Sequence, residues 1–280
     1  MKKQQLINQI GFTTQTFVNF IEDKSISVKD LIEWAADQGF KWVEVRDPQI
    51  KMSKEYLKII KNQAEHLGIR IHYAWDGTNI LNADHEYSIR KGIENAEIFG
   101  KDTMSRIVIA PSNITEEESK LGYSADEFLQ VSKTISKYNK IAASHGVTLV
   151  YENSVEPILG DKKLYFGMTE IMKENPEMKI TFDPANSMCK DNARVPAKEG
   201  QVVSFSKNYS NQIPYIHIKS TEGNILQSNL LLKADFDILE ILSILNDSTL
   251  ACVELPPETD LRLCKEKVIN AKNMLIQNLQ

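Results

Sequence analysis

The sequence predicts an α/β fold, a single (β/α)₈ barrel of the TIM type, and three observations support this prediction. Short β-branched or aromatic segments alternate along the chain with longer amphipathic segments, as in repeated βα units around a parallel sheet. The strand candidates number eight. The length of 280 residues is ordinary for one such barrel, so we expect one domain over residues 1–280 with its active site at the C-terminal ends of the strands.

The predicted strands share β-branched or aromatic side chains. They are residues 7–13, 42–46, 69–73, 107–110, 148–152, 179–183, 215–219 and 251–255. Helical periodicity, with apolar residues three and four apart, is clearest in residues 31–40, 55–68, 124–146 and 264–279. The first three of these segments end at or near a glycine, as helix C-termini often do.

A doubly wound open sheet is the alternative, because alternating βα units can build either architecture. The first predicted strand is followed by a segment with a single glycine, GFTTQTF, and neither GxGxxG nor GxxxxGK[ST] occurs in the chain. The sequence therefore favours the barrel and lacks the motifs of dinucleotide and P-loop binding.

Composition and charge narrow the class of function. A net charge of −5 argues against a broad nucleic-acid surface and favours a small-molecule partner. Three cysteines without CxxC spacing suggest neither a disulfide framework nor a thiolate zinc site. The polar N-terminal segment does not resemble a signal peptide, and no run reaches the ~20 apolar residues of a membrane span. We expect a cytoplasmic protein without membrane contact, and a homo-oligomer is compatible with these properties.

Four polar residues stand at or near the ends of the last four predicted strands. In each strand the alternation of side chains places the polar residue on one face and aliphatic or aromatic residues on the other. These residues are Glu152, Asp183, His217 and Glu254. Their separations of 31, 34 and 37 residues each approximate one βα repeat, so they are expected on successive strands at the same mouth of the barrel.

The convergence of three carboxylates and an imidazole predicts a divalent metal site. Taken singly, a strand-end carboxylate is more often solvated or a helix N-cap, and a lone histidine is more often a core residue. Together, buried carboxylates repel one another unless a cation lies among them. An oxygen-rich set with one imidazole suits Mn²⁺, Mg²⁺ or Co²⁺ better than a structural zinc. We expect one divalent ion, Mn²⁺ first, with Mg²⁺, Co²⁺ or Zn²⁺ as alternatives.

At these residues the chain resembles the xylose isomerase-like superfamily of TIM barrels, which includes sugar and sugar-phosphate isomerases, ketose 3-epimerases, inosose dehydratases and AP endonucleases. The resemblance runs essentially end to end. The segments that carry it are YEN, TFDPAN, YIHIKS and CVELP. It implies that all four residues bind the metal and that Glu152 and Glu254 are also the catalytic acid/base pair. The implied activity is a metal-dependent isomerase or epimerase for a sugar or sugar phosphate, working through a cis-enediolate.

The chain also departs from the ketose 3-epimerases, which usually carry a histidine three residues after the aspartate and an arginine shortly after the metal histidine. Here Asn186 stands at the first position and Lys219, Ser220 and Thr221 follow His217. Seven further residues are candidates for substrate binding, each with an ordinary structural explanation such as packing, an interior ion pair or solvation. They are Lys219, Asn186, His72, Glu44, Arg46, Trp75 and Arg194.

Three alternative functions stay open. A dehydratase of a cyclic polyol could use the same enediolate and expel a β-hydroxyl group. An abasic-site endonuclease of this superfamily would need a histidine-rich three-zinc site, which the five histidines of the chain disfavour. A non-catalytic sugar-binding barrel is disfavoured by the intact pair of glutamates.

Overall fold

The computed structural model describes residues 8–76, 86–100, 103–108, 122–154, 157–160, 165–190 and 196–278. In this part of the chain, eight strands form the barrel: β1 (Ile10–Thr13), β2 (Trp42–Pro48), β3 (Arg70–Asp76), β4 (Thr103–Val108), β5 (Val147–Glu152), β6 (Ile180–Phe182), β7 (Tyr215–Ile218) and β10 (Leu250–Val253). They close in the order β1-β10-β7-β6-β5-β4-β3-β2, and every pairing is parallel. The predicted (β/α)₈ barrel is therefore confirmed.

Helices cover the outside of the barrel. Those described are α1 (Val18–Glu22), α2 (Val28–Asp37), α3 (Lys54–Leu67), α4 (Glu86–Glu97), α5 (Ala125–Ser144), α6 (Met168–Glu174), α7 (Pro184–Met188), α8 (Glu199–Asn208), α9 (Ile238–Ile244) and α10 (Leu261–Asn278). A short antiparallel hairpin of β8 (Thr221–Glu222) and β9 (Ile225–Leu226) follows β7. As the sequence predicts, α3 ends at a glycine, Gly68, whose φ of 67° is in the left-handed region.

The strand bounds correct several predictions. The strand predicted at 107–110 begins at Thr103, because the polar residues Ser105 and Arg106 are buried inside the fold and not in a loop. Residues 109 and 110 lie outside the described part. The strand predicted at 179–183 is shorter, since Asp183 is already the N-cap of α7. At the start of the chain β1 begins at Ile10, because residues 8 and 9 are helical.

The bottom of the barrel interior is filled by an inner layer of four buried side chains, Trp42, His72, Tyr215 and Cys252. The ring of Trp42 lies 5.4 Å from those of both His72 and Tyr215, measured between centroids. Gly11 makes room for this layer, since a Cβ there would lie 2.4 Å from the Trp42 ring. The polar groups described below lie between this layer and the mouth of the barrel.

No helix in the described residues is long and apolar enough to cross a membrane.

Candidate metal centre and active site

The four residues predicted to bind a metal come together at the mouth of the barrel. We call them the mouth cluster: Glu152, Asp183, His217 and Glu254. One potential ligand atom from each lies within 4.8 Å of those of the other three. Asp183 and His217 are fully buried, and Glu152 and Glu254 are 5% and 9% exposed. The glutamates are thus the two members that solvent reaches.

The end of β5 is tied to the end of β6 by Asn153, a residue that the sequence did not single out. Its side-chain amide donates to the carbonyl of Asp183 at 2.8 Å, and its Oδ1 accepts from the backbone N–H of Asp183 at 2.7 Å. The Asp183 carboxylate in turn caps α7 by accepting from the N–H of Asn186 at 2.9 Å. These bonds hold the ends of β5 and β6 together, so that Glu152 and Asp183 lie side by side.

His217 lies at the centre of the mouth cluster. Its Nδ1 is 2.7 Å from Glu254 Oε2, 3.0 Å from Glu152 Oε1 and 3.7 Å from Asp183 Oδ2. The backbone holds Glu254 beside it, because the N–H of Glu254 donates to the carbonyl of Ile218 at 3.1 Å. Three carboxylates therefore face one imidazole nitrogen.

Charge interactions outweigh burial for two members of the cluster. Burial opposes a charge on the imidazole, but Glu254 and Glu44 raise the pKa of His217 well above its ordinary value. Burial likewise opposes a charge on Glu254, but Lys219 and His217 hold the pKa of that carboxyl well below its ordinary value. Both groups are stabilised in their charged forms.

These residues fit a divalent metal ion. Three carboxylates and an imidazole provide the oxygen-rich donor set that Mn²⁺ and Mg²⁺ accept, and their donor atoms already converge. A divalent ion would provide the positive charge that the protons and ammonium groups of neighbouring side chains supply in the arrangement described here. The residues that would hold it are the four of the mouth cluster.

Arg106 is a second residue that sequence reasoning missed. It lies on β4, is 1% exposed, and its guanidinium Nη1 forms an ion pair with Glu152 Oε2. Its Nε is 3.5 Å from Glu44 Oε2. The alternation of Met104 and Arg106 with Thr103 and Ser105 along β4 is the signal that could have placed it in the interior, had the strand been recognised from Thr103.

Three of the predicted substrate-binding residues lie at the mouth. Lys219, 8% exposed, places its Nζ 2.7 Å from Asp183 Oδ2 and 3.3 Å from Glu254 Oε2. The side-chain amide of Asn186 donates to the carbonyl of Asn153 at 3.0 Å and lies 3.5 Å from Glu152 Oε1. Arg46 Nη1 lies 3.8 Å from Glu254 Oε1. Lys219 is therefore buried in the cluster, and solvation, the ordinary alternative for this residue, does not apply to it.

Three other candidates for substrate binding lie away from the mouth. Glu44 is fully buried between the mouth cluster and the inner layer, so it faces protein groups and not the mouth. His72 belongs to the inner layer, where its Nδ1 accepts from the N–H of Met104 at 3.1 Å. Trp75 is fully buried against α4, since a Cβ on Gly92 would lie 2.5 Å from its ring. The seventh candidate, Arg194, lies outside the described residues.

A cleft of about 690 Å³ opens beside the mouth, between the segments that follow β1 and β2. Arg46 lines it together with Thr14, Asp47 and Lys51. None of the four mouth-cluster residues is among its lining residues. Because Arg46 also lies near Glu254, it connects this open volume to the edge of the cluster.

Among the described residues, no second histidine joins His217 in the mouth cluster. His66 lies in α3 and His145 caps α5, within the segments 55–68 and 124–146 that the sequence predicts to be helical, and both are at the surface or near it. His72 is in the inner layer, and His85 lies outside the described residues. A histidine-rich three-metal centre is therefore not formed by the described part of the chain.

The fold and site define a class of protein, a (β/α)₈ barrel with a centre of carboxylates and histidine at its C-terminal mouth. The sequence profile of the xylose isomerase-like TIM barrel family matches residues 32–265, and the chain belongs to this family. No functionally curated protein matches the sequence.

Solved structures show the same fold at low sequence identity. A sugar phosphate isomerase/epimerase from Parabacteroides distasonis ATCC 8503 is similar with a TM-score of 0.68, 13% identity and coverage of 97% of this chain and 94% of its own. A D-allulose 3-epimerase from Methylomonas sp. is similar with a TM-score of 0.65 and 13% identity, over 96% of this chain and 97% of its own. A xylose isomerase-like TIM barrel protein from Mycobacterium smegmatis, in complex with magnesium, has a TM-score of 0.61 and 14% identity, over 90% of this chain and 89% of its own.

Proposed function

We propose that this protein is a divalent-metal-dependent isomerase or epimerase of a sugar or sugar phosphate. The observation that carries the proposal is the mouth cluster, in which donor atoms of three carboxylates and one histidine lie within 4.8 Å of one another. The sugar isomerases and epimerases among the structural neighbours support it. Mn²⁺ is the ion we propose, because the donor set is mostly oxygen.

The two glutamates are the proposed acid/base pair. A bound divalent ion supplies Lewis-acid chemistry, polarising a substrate carbonyl and acidifying the neighbouring C–H bond. One glutamate removes this proton, which leaves the electron pair in a cis-enediolate. The other returns a proton at the neighbouring carbon, or at the opposite face of the same carbon. Glu152 and Glu254 are the mouth-cluster carboxylates in partial contact with solvent, as this role requires.

Neighbouring side chains contact the two glutamates from different sides of the cluster. Arg106 holds one oxygen of Glu152 from within the barrel, which leaves Oε1 on the side of Asn186 and His217. Lys219 and Arg46 contact Glu254 from the mouth. We propose that Lys219, Arg46 and Asn186 bind oxygen or phosphate groups of the substrate, since their polar groups lie at the rim of the cluster.

Dehydration of a cyclic polyol is the second candidate, and Lys219 is the observation that favours it. Expulsion of a β-hydroxyl group requires positive charge near the leaving oxygen, and the Lys219 ammonium lies 3.3 Å from Glu254. In this reaction the enediolate loses the hydroxyl group as water after protonation, instead of regaining a proton at carbon.

Deuterium exchange tests the proposal. The Mn²⁺-loaded protein is incubated in D₂O with a panel of free and phosphorylated ketoses and inosose, and the products are followed by NMR and mass spectrometry. Isomerisation or epimerisation incorporates deuterium at the carbon next to the carbonyl, whereas dehydration gives a product lighter by one water. Absence of exchange and of turnover with the whole panel, in a protein shown to hold Mn²⁺, would contradict an isomerase or epimerase of these sugars.

A further inference from the structure

Directly beneath His217, the barrel interior holds a fourth carboxylate, Glu44, which the sequence did not assign to the metal site. Glu44 is fully buried, and its Oε2 accepts a hydrogen bond from the Tyr215 hydroxyl at 2.6 Å. The same oxygen lies 3.3 Å from His217 Nε2 and 3.5 Å from Arg106 Nε. Glu44 thus lies between the Tyr215 hydroxyl, which donates to it, the Arg106 guanidinium, with which it forms an ion pair, and the far nitrogen of the imidazole.

The two nitrogens of His217 face different surroundings. Nδ1 faces the mouth, where the carboxylates of Glu152 and Glu254 lie at 3.0 and 2.7 Å. Nε2 faces inward, toward Glu44. A neutral imidazole binds a metal through its unprotonated nitrogen and carries its proton on the other. An ion among the mouth carboxylates can be reached only by Nδ1, so the proton must reside on Nε2.

We propose that Glu44 is a positioning residue that keeps the proton of His217 on Nε2 and so presents Nδ1 to a metal ion in the mouth cluster. This inference rests on the proposed function, because it assumes that the cluster holds a metal. A carboxylate behind a metal-bound histidine fixes both the tautomer and the orientation of the ring. Tyr215 and Arg106 fix the carboxylate itself, since both contact its Oε2.

Cys252 provides the alternative arrangement. Its Sγ forms a second potential metal group with Glu44 and His217, whose donor atoms also lie within 4.8 Å of one another. Arg106 and Tyr215 disfavour a second ion there, because a guanidinium and a hydroxyl donor already face the Glu44 oxygen. A thiol is also a weaker acceptor than a carboxylate for the Nε2 proton. The geometry therefore favours Glu44 as partner of the histidine.

The tautomer can be measured in the wild-type protein without any substitution. The protein is labelled with ¹⁵N-histidine and loaded with Zn²⁺, which is diamagnetic, and the ring nitrogens are observed by long-range ¹H–¹⁵N NMR. The His217 signals are those that shift on addition of Zn²⁺. We expect a protonated Nε2 and an unprotonated, metal-shifted Nδ1. A protonated Nδ1 in the Zn²⁺-loaded protein would overturn the proposal.

Mn²⁺ affinity in variants provides the second test. In Glu44→Gln the side-chain amide can donate as well as accept, so the proton of His217 is no longer confined to Nε2. We expect the dissociation constant for Mn²⁺, measured by electron paramagnetic resonance, to rise by about 10- to 100-fold. Cys252→Ala is the matched control at the same depth, and we expect its affinity and stoichiometry to equal those of wild type.

The outcomes separate this inference from the proposed function. A folded wild-type protein that binds no metal contradicts the metal-dependent function and leaves nothing for Glu44 to position. Wild-type binding that is unchanged in Glu44→Gln contradicts the role of Glu44 alone. If wild type binds two ions and Cys252→Ala loses one of them, the interior holds a second metal site, and the positioning role proposed for Glu44 is wrong.

Discussion

The mouth cluster and the inner layer are both buried in the same barrel, yet their ionisable groups are in opposite states. In the inner layer burial lowers the pKa of His72 to about 3 and raises that of Cys252 to about 12, so both are neutral at pH 7. Burial also raises the pKa of Tyr215. In the mouth cluster neighbouring charges outweigh burial, raising the pKa of His217 and lowering that of Glu254, so the charged form of each is favoured when no metal ion lies among them.

The difference lies in the counter-charges and not in the depth of burial. The mouth cluster is surrounded by Arg46, Arg106 and Lys219, whereas the inner layer packs rings against rings. A buried charge network contributes little net stability compared with apolar packing of similar volume. We infer that the inner layer stabilises the barrel and that the mouth cluster is maintained for binding and chemistry.

The largest expected effect follows from removing one of the two proposed catalytic carboxylates. Glu152→Gln and Glu254→Gln keep the size of the side chain but cannot accept a proton, so each should lower the rate of deuterium exchange by about 10²- to 10⁴-fold. Exchange measured by NMR with the active ketose checks this. Rates within tenfold of wild type in both variants would remove the glutamate pair from the mechanism.

Truncation in the inner layer should affect stability instead. Trp42→Ala removes a fully buried indole and should reduce the free energy of unfolding by about 3–5 kcal/mol, measured by urea denaturation. Trp75→Ala, on the helix-facing side of β3, is the matched control, and we expect it to lose a similar free energy of unfolding. The Mn²⁺ affinity of the folded variants should match that of wild type, and a parallel loss of metal binding would break the distinction between the two regions.

The inner layer also predicts a pH dependence of stability. The unfolded chain takes up a proton on His72 below pH 6.5, whereas burial, and then the charge of Arg70, keep the folded histidine neutral down to about pH 3. The contribution of neutral His72 to the free energy of unfolding is therefore present above pH 6.5 and is lost as the pH falls. Between pH 7 and 5 the loss should be about 2 kcal/mol. Urea denaturation should show this loss in wild type and a smaller one in His72→Gln, and parallel pH profiles would argue against it.

The smallest effect is expected at Lys219, where an ammonium group occupies part of the mouth cluster. Lys219→Met removes a cation that lies 2.7 Å from Asp183 Oδ2, so Mn²⁺ should bind about tenfold more tightly. Lys219→Arg keeps the positive charge and should remain close to wild type. Titration followed by electron paramagnetic resonance measures both variants. Weaker binding in Lys219→Met would mean that the lysine supports the metal site instead of competing with it.

Alternating side chains allowed much of this fold and site to be predicted. In β5 and β7 the apolar residues mark one face and a polar residue at or near the strand end the other, which was enough to place Glu152 and His217 at one mouth. Arg106 was missed because β4 begins with polar residues, which are typical of a loop in the sequence but lie buried in the barrel.

Depth within the barrel could not be predicted. Glu44 and Arg46 alternate onto the same inward face of β2, but whether an inward residue reaches the mouth depends on the stagger of its strand relative to all the others. Glu44 pairs in register with His72, below the level of Arg46 on the same strand. Trp75 lies three residues beyond His72 on β3, so strand alternation places it on the opposite, helix-facing side, where Gly92 of α4 leaves room for its ring.

One measurement tests the central claim most directly, namely the metal content of two variants that each replace one buried histidine. Wild type, His217→Gln and His72→Gln are reconstituted with Mn²⁺, freed of excess ion and analysed by mass spectrometry, with folding checked by circular dichroism. We expect about one Mn²⁺ per chain in wild type and His72→Gln, and a marked loss in His217→Gln. Folded wild-type protein without Mn²⁺, or equal metal content in both variants, would contradict a metal centre at the mouth cluster.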